Sequence, residues 1–374
     1  MKSHGSAAAS DYTVGPVATN AGGEPHLVDS FEFRRASECS VELGREIAGF
    51  LDSQDTSHPF QFPQWGNGQS YFAFCRRQGI IGWFAQCSVY FPAGRFLRAI
   101  RALAVNHGPV CDEPELMGTG LRWFVEEGRR QGFAYIDIAP EWTGVFAEFA
   151  ATALAQNGWQ ELAGARSSLR LELTPSHEEL LAGFRKVTRY EIRRSEAQGV
   201  TVAFARDEAG QEEFFRLYRD LAVEKNFVTE DFGHLRRVLR WLAQENDRGG
   251  LLIAEKDGSV IGAIVIVRSG RRCWYVLGAT SKEQKLSAGH LLHWHAIQWA
   301  KNVGCLEYDF SGGDSRTTVD QGTAFFKQGF CENLVEFLRP QRRVLSESKV
   351  RICNLVKGIR DRFRRRPDGV SAGK

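Results

Sequence analysis

Apolar positions along the chain follow helical and strand spacings in an order that occurs twice. In the first half, an amphipathic helical pattern ends at Gly132, and a short apolar strand pattern containing Asp137 follows it. In the second half, the same pattern has Gly304 and Asp309 in the matching places. The two glycines are 172 positions apart, and so are the two aspartates. The pattern therefore indicates an internal repeat of about 172 residues.

Other features flank this pair in the same order in both halves. A tight hairpin is predicted at 78–82 and again at 257–262, and a helical pattern ends at Gly158 and again at Gly329. The counterparts are 180 and 171 positions apart, which is close to the spacing of the first pair. Together these features predict a tandem duplication. Chance similarity between generic helix–glycine–strand units is the alternative that the sequence leaves open.

The repeated unit consists of a hairpin, a third strand, a helix, a strand, a second helix and a last strand. In the second copy we expect strands near 251–254, 260–267, 273–277, 306–310 and 334–338, with helices near 288–303 and 320–328. This order predicts an α/β fold of the α+β type, in which a mixed sheet carries a central helix, present in two tandem copies.

The limits of the two copies follow from the repeat and from a capping box. Ser176 and Glu179 have the spacing of such a box and begin a new helix after the first copy. We therefore expect a disordered N-terminal segment at 1–27, a first domain at 28–173, a second, catalytic domain at 174–338 and a basic amphipathic tail at 339–374.

Composition narrows the class of protein. The chain has 374 residues, of which 43% are apolar and 25% charged, as in ordinary globular proteins. It contains no signal-peptide pattern and no apolar run near the ~20 residues that a membrane-spanning helix needs. Its eight cysteines form no CxxC pair, so we expect reduced thiols and a cytoplasmic protein. His290, His293 and His295 come closest to a metal motif, but no acidic or thiol partner is near, so no metal is expected.

Positive charge is concentrated in the C-terminal tail. From Arg339 to Arg366 the chain has eleven lysines and arginines and two acidic residues. One face of the predicted helix is apolar and consists of Ile352, Leu355, Val356, Ile359 and Phe363. A helix of this kind over 344–366 suits the surface of an anionic membrane. Docking on the second domain and contact with the body of a tRNA remain alternatives.

Four segments resemble motifs of one known family. They are Asn106–Val110, Arg189–Val200, Tyr308–Gly313 and Gly322–Phe330. Their order and spacing resemble those of the Fem family of aminoacyltransferases, whose members contain two copies of the GNAT acetyltransferase fold. The likeness extends from about Pro59 to Leu338. It departs from the family at Cys331-Glu332, where a glycine pair is usual, and after Trp65, where some members have a lysine that holds a nucleotide diphosphate.

The resemblance implies a reaction. Fem-type enzymes transfer an aminoacyl group from aminoacyl-tRNA to an amine of a peptidoglycan precursor, whereas plain GNAT enzymes use acyl-CoA. Either donor would be a co-substrate and not a bound cofactor. Both reactions need an oriented amine, a sink for its proton and a positive group for the developing negative charge. A GNAT-fold protein without activity, serving as a nucleic-acid-binding or scaffold module, is the alternative from another class.

Candidate catalytic residues are Lys327 and Asp309. The family uses the matching lysine and the aromatic residue before it, here Phe326, for tRNA binding and catalysis. A lysine ammonium can pair with a phosphate or with an oxyanion, and an aromatic ring can pack on a nucleobase. A solvent-facing Lys327 is the simpler alternative. Asp309 can orient the amine, although Asp137 holds the matching place in the first half, which also favours a structural role.

Candidate binding residues surround this pair. On a single helix beginning at Glu178, four basic residues would form one stripe suited to phosphates, namely Arg185, Lys186, Arg189 and Arg193. A solvated helix face is the alternative for the stripe. Tyr275 is expected to line the acceptor cleft, and Ser287, Ala288 and Gly289 precede or begin the central helix, where GNAT enzymes hold a pyrophosphate.

Overall fold

The structure is a computed structural model that describes residues 30–364, except 67–68, 95–96, 112, 165, 246, 282–285 and 313–320. The segment 1–27 lies outside the described residues. The described strands are β1 Ser30–Arg35, β2 Ser70–Arg77, β3 Ile80–Tyr90, β4 Ala102–Asn106, β5 Val110–Cys111, β6 Tyr135–Ala139, β7 Gln160–Glu161, β8 Arg166–Glu172, β9 Thr201–Ala205, β10 Gly249–Lys256, β11 Ser259–Ser269, β12 Arg272–Thr280, β13 Glu307–Asp309, β14 Leu334–Phe337 and β15 Gln341–Val344.

Ten α-helices of the described chain lie between or after these strands. They are α1 Val41–Ser53, α2 Pro114–Arg130, α3 Gly144–Gln156, α4 His177–Gly183, α5 Lys186–Ala197, α6 Glu208–Lys225, α7 Phe232–Gln244, α8 Ala288–Asn302, α9 Gln321–Gln328 and α10 Glu347–Arg364. The elements expected in the second copy are all present, and each matches its predicted range to within a few residues. The predicted α/β fold with mixed sheets is therefore confirmed.

The strands form two mixed sheets of matching order. Sheet 1 runs β1-β2-β3-β4-β6-β15-β7, with β5 added to β3, and sheet 2 runs β9-β10-β11-β12-β13-β8-β14. The last strand of each half lies in the sheet of the other half: β8 pairs with β13, and β15 pairs with β6. The central pairs β4–β6 and β12–β13 are parallel, as the helix that connects each pair requires.

The repeat predicted from the sequence reappears in the register of these exchanged strands. Arg170 of β8 lies opposite Asp309 of β13, and Arg342 of β15 lies opposite Asp137 of β6. Both arginines and both aspartates are 172 positions apart. The exchange also means that β8, expected in the first domain, lies in sheet 2, and that β15, expected in the tail, lies in sheet 1. Sequence spacing cannot show this, because it does not tell which sheet a strand joins.

Buried clusters hold the layers together, and three of them are the largest. Helices α2 and α3 pack on one face of sheet 1, and α5 and α8 pack on one face of sheet 2. A third cluster joins α1, Phe72 and Phe74 from the first half to α6, α7 and β11 from the second half. Because this cluster contains large side chains of both halves, it fixes one half against the other.

The helix predicted to begin at Glu178 is in fact two helices. The capping box of Ser176 and Glu179 is present and begins α4, as predicted. The helix then ends at Gly183, and α5 starts at Lys186 after a break. The break turns Phe184 into the core, where its ring contacts Trp294 and Phe330. Burial of this ring explains why the helical pattern is interrupted here.

Candidate functional site

The side chain of Lys327 lies in the interior near the end of α9. It is 7% exposed, and its Nζ donates hydrogen bonds to the carbonyl oxygens of Ser311 and Gly312, the latter at 2.8 Å. Ser311 has a positive φ of 50°, so the turn after β13 is bent toward the amine. The alternative of a solvent-facing lysine is therefore wrong.

Electrostatics favour an unusually acidic ammonium at this position. Burial lowers the pKa of Lys327 to about 8, although the charge of Asp309 acts in the opposite direction. The Nζ atom also lies 5.5 Å from the centre of the Tyr275 ring. An ammonium group has three N–H donors, and two of them bind the carbonyls of the turn. The third can face a ligand, and part of the population can lose a proton near neutral pH.

Asp309 supports the turn after β13 through hydrogen bonds to both of its carboxylate oxygens. It is fully buried; its Oδ1 accepts hydrogen bonds from the Ser168 hydroxyl and from the Ser311 backbone N–H at 2.8 Å. Its Oδ2 accepts one from Arg170 Nε at 2.8 Å. Burial raises the pKa of Asp309, and Arg170 and Ser168 oppose that shift. These contacts make Asp309 a residue that positions the turn holding Lys327.

Tyr275 and His293 form the wall on the other side of the amine. The two rings are 4.7 Å apart, and the Ser311 hydroxyl donates to the Tyr275 carbonyl oxygen at 2.5 Å. Burial raises the pKa of Tyr275 to about 12, so its hydroxyl is neutral at physiological pH. His293 Nδ1 is 2.9 Å from the Tyr308 hydroxyl, and burial together with the charge of Lys327 holds the pKa of His293 well below its usual value.

His293 is a neighbour of the site that the sequence analysis considered only as a metal ligand. Its spacing from Tyr308 gave no signal, because the hydrogen bond joins a helix to a strand. Within the described residues, no group of three His, Cys, Asp or Glu could hold a metal ion.

Two consecutive phenylalanines face different environments beside the amine. Phe326 is half-buried and packs on His290 at 4.7 Å and on His293 at 5.4 Å. Phe325 is 63% exposed, and the guanidinium of Arg185 lies 5.4 Å from its ring centre. Phe325, which the sequence analysis did not single out, is therefore the more exposed of the two rings, and Arg185 lies over it. Phe326 instead lines the start of α8.

The start of α8 lies beside Phe326. The helix begins at Ala288, and Ser287 before it makes no side-chain cap. A β-carbon on Gly289 would lie 3.4 Å from the Phe326 ring, so the aromatic side chain covers this first turn closely. Backbone N–H groups of a first helical turn have no partner within the helix and suit an anion.

The four basic residues predicted as a stripe lie on α5 or at its N-cap, and two of them have partners within the protein. Arg185 precedes α5, and its side chain pairs with Glu332 at 2.6 Å. Arg189 Nη1 donates to the carbonyl oxygens of Ala182, at 2.9 Å, and Phe184, so it closes the end of α4. The break in the predicted helix lies before Arg185, so all four residues stay at one helix, and phosphate binding by them stays a prediction. Lys186 and Arg193 remain exposed on α5.

A second charged cluster lies in the first half and was not anticipated as a group. Glu141, whose side chain is 1% exposed, accepts hydrogen bonds from His107 Nδ1, at 2.6 Å, and from Arg166. His58 stacks on His107 with ring centres 3.6 Å apart. Burial alone would raise the pKa of Glu141, but His107 and Arg166 outweigh it and lower that pKa. The only sequence signal was the motif Asn106–Val110, where His107 has a φ of 57°.

The sequence of this chain is similar to an acetyltransferase domain and to an alanyltransferase. A family model described as an acetyltransferase (GNAT) domain matches residues 182–320. The UDP-N-acetylmuramoylpentapeptide-lysine N(6)-alanyltransferase of Weissella viridescens is 24% identical over 170 residues, which is 45% of this chain and 50% of that protein. The chain thus matches about half the length of that relative.

Solved structures extend the likeness to almost the whole described chain. A crystal structure of FemX has a TM-score of 0.72 and 16% identity, and the match covers 83% of this chain and 98% of that one. A tandem GNAT protein from the clavulanic acid biosynthesis pathway has a TM-score of 0.52 and 10% identity, with 84% and 99% covered. The chain is therefore a tandem GNAT-fold protein of FemX-like architecture, and the resemblance predicted from its motifs is confirmed.

Proposed function

We propose that the protein is an N-acyltransferase that transfers an aminoacyl group from aminoacyl-tRNA, or an acyl group from acyl-CoA, to an amine of a cell-envelope precursor. The matched GNAT domain and the name of the Weissella relative support this reaction class. The observation that carries the proposal is the buried amine of Lys327, with its pKa lowered to about 8, which binds the turn after β13 and lies near Tyr275.

The reaction follows from the position of this amine. The acceptor nitrogen attacks the carbonyl carbon of the donor, and the carbonyl oxygen gains negative charge. The third N–H of the Lys327 ammonium stabilises that oxyanion, and removal of one such donor typically costs 10²–10³-fold in turnover, or about 3–4 kcal/mol. The attacking amine loses its proton, and the tRNA hydroxyl or the CoA thiol leaves with a proton. Asp309 and Ser311 hold the turn that fixes Lys327.

Donor and acceptor occupy different sides of Lys327 in this proposal. The N–H groups of Ser287, Ala288 and Gly289 face the phosphates of the donor, and Phe325 and Phe326 contact its base or sugar. Tyr275 borders the acceptor. Lys186 and Arg193 are the exposed basic residues left to contact phosphate, since Arg185 and Arg189 have partners within the protein.

A transfer assay separates the two donors and tests the function. The full chain is incubated with radiolabelled alanyl-tRNA or with acetyl-CoA, each with an amine acceptor such as a lysine-containing muramoyl pentapeptide. Transfer from one donor that depends on Lys327 supports the proposal and identifies the donor. Absence of transfer from both, together with binding of RNA, supports the inactive nucleic-acid-binding alternative.

The C-terminal helix supports a second element of the proposal, peripheral contact with the cytoplasmic face of an anionic membrane. The start of α10 docks on sheet 1, where Cys353 is buried and Lys349 donates to the Gly132 carbonyl at 2.5 Å. Ile352, Leu355 and Ile359 are instead 43%, 65% and 47% exposed. No helix within the described residues is long and apolar enough to cross a membrane. The exposed apolar face and the basic residues of the helix suit insertion at an anionic surface.

A further inference from the structure

An apolar groove runs between α2 and α3 on the outer side of the first half. It encloses about 560 Å³ and is lined by aromatic and aliphatic side chains that include Leu121, Trp123, Phe146, Phe149 and Trp159. Phe149 is 68% exposed. Such a surface on a single chain generally marks a place where another segment binds.

The second half shows how the matching surface is covered. Trp294 and Phe330 there correspond to Arg122 and Trp159, which lie 172 and 171 positions earlier and line the groove. In the second half, Phe184 packs on both Trp294 and Phe330. The helices α4 and α5 thus close in the second half the space that stays open in the first.

In the first half, the residues before β1 correspond in sequence position to α4 and α5 of the second half. Helices α4 and α5 immediately precede β9, which pairs antiparallel with the first strand of the hairpin in sheet 2. Strand β1 pairs with β2 in the same way in sheet 1. Ser30 and Thr201 begin these strands 171 positions apart, so the range 177–197 of α4 and α5 corresponds to 6–26. The chain therefore has enough residues before β1 to reach across the groove.

Geometry and charge favour the same occupant. Phe31, the second residue of β1, stacks on Trp123 of the groove with ring centres 5.0 Å apart, so β1 begins at the edge of the groove. Three arginines and one glutamate line the groove, whereas residues 1–29 contain three acidic residues and one lysine. The same residues include Tyr12, Val14 and Val17 as apolar side chains.

We propose that residues 1–29 of this chain bind in the groove between α2 and α3 and cover the first half as α4 and α5 cover the second. This binding surface is separate from the Lys327 site and independent of the proposed reaction. The net positive charge of Arg122 and Arg343 attracts the acidic segment, since Arg129 is paired with Glu126, and Phe149 packs on the apolar residues of the segment. Burial of the Phe149 ring favours the bound state about tenfold or more.

A photo-cross-linking experiment on the full chain tests the proposal. Benzoylphenylalanine replaces Tyr12, and cross-linked peptides are mapped by mass spectrometry. We expect cross-links within one chain to α2 and α3, reduced about tenfold by Phe149→Glu. Val228→Glu is the matched control, because Val228 is 95% exposed and outside the groove. Cross-links spread over other surfaces, joining two chains, or insensitive to Phe149→Glu would overturn the proposal.

Hydrogen exchange provides a second readout that does not need the cross-linker. Deletion of residues 1–27 leaves β1 intact and is expected to speed amide exchange in α2 and α3, with α8 as the internal reference. Addition of a synthetic 1–29 peptide should slow that exchange again. Equal exchange in the deleted and full-length chains contradicts the proposal.

Discussion

In the second half, Asp309 and Arg170 form a pair whose side chains are 0% and 7% exposed, and the turn that follows holds Lys327. In the first half, Asp137 and Arg342 form the same pair in the same register, but their side chains are 19% and 28% exposed. The first half also has Gln156 at the place that corresponds to Lys327, 171 positions earlier. The Asp–Arg pair thus joins two strands in both halves, whereas the buried amine of Lys327 is present in the second half and not at the matching position of the first.

The partners of each aspartate extend this difference. Asp309 binds the backbone N–H of Ser311 and so shapes the turn under Lys327. Asp137 instead accepts a hydrogen bond from the hydroxyl of Tyr90 at 2.7 Å, and both residues belong to strands of sheet 1. A matching aspartate in a repeat therefore does not by itself indicate catalysis.

The largest expected effect concerns the stability of the two pairs. Arg170→Met leaves the Asp309 carboxylate buried without its cation, and breaking a buried pair costs about 3–5 kcal/mol. Arg342→Met leaves Asp137 partly solvated, and we expect a loss of about 1 kcal/mol or less. Urea unfolding of both variants, followed by circular dichroism, measures the difference. Equal losses would mean that the two pairs play the same part in stability.

The next largest expected effect is a loss of activity, which distinguishes Lys327 from Gln156, the residue at the matching place in the first half. Lys327→Met removes the ammonium but keeps a side chain of similar length, and we expect turnover to fall about 10²-fold because an oxyanion donor is lost. The melting temperature should change little. Gln156→Met is the matched control in the first half and should leave turnover unchanged. Turnover at the normal level in Lys327→Met would remove the proposed role.

The pH dependence of activity sharpens that assignment. Burial holds the pKa of Lys327 near 8, below its ordinary value of 10.5, so the ammonium is lost as the pH rises through about 8. If the ammonium is the active form, kcat falls on the alkaline side of that value, and Lys327→Arg retains activity to higher pH because guanidinium stays charged. A rise in kcat through pH 8 would instead show that the neutral amine accepts a proton.

The same pKa also affects stability, with the opposite slope. Between pH 8 and 10.5 the unfolded chain binds more protons at this lysine than the folded chain, so this group makes folding more favourable as the pH rises. Wild-type protein should therefore gain stability relative to Lys327→Met over this range. The comparison of the two unfolding curves isolates Lys327 from other groups that titrate there.

Local patterns predicted much of the fold but less of the site. Hydrophobic periodicity gave the strands and helices of the second copy, and the capping box gave the start of α4, because both depend on neighbours in sequence. The exchange of β8 and β15 depends on pairing between distant strands. Lys327 and Asp309 were found through motifs, but their burial and hydrogen bonds were not. The contact of Arg189 with Ala182 was missed because the break before α5 results from the burial of Phe184 in the core.

The smallest expected effect tests the contact of α10 with a membrane. A truncation at Pro340 would remove β15, which lies between β6 and β7 in sheet 1, so loss of binding after it would not distinguish unfolding from loss of the helix. Leu355→Glu is a better change, because Leu355 is 65% exposed and its replacement leaves the docked residues Lys349 and Cys353 in place. We expect weaker co-sedimentation with anionic vesicles.

The size of that effect follows from the free energy of burying one leucine side chain. Withdrawing one leucine from a membrane surface costs about 1.5–3 kcal/mol, roughly a tenfold or greater change in partitioning. Raising the salt should weaken the binding of both proteins, because the basic residues of the helix contribute through charge. Ile80→Glu is the matched control, since Ile80 is 72% exposed at the β2–β3 hairpin. If wild-type protein ignores anionic vesicles at low salt, α10 does not bind membranes; binding to tRNA that Leu355→Glu leaves intact would assign its basic residues to RNA.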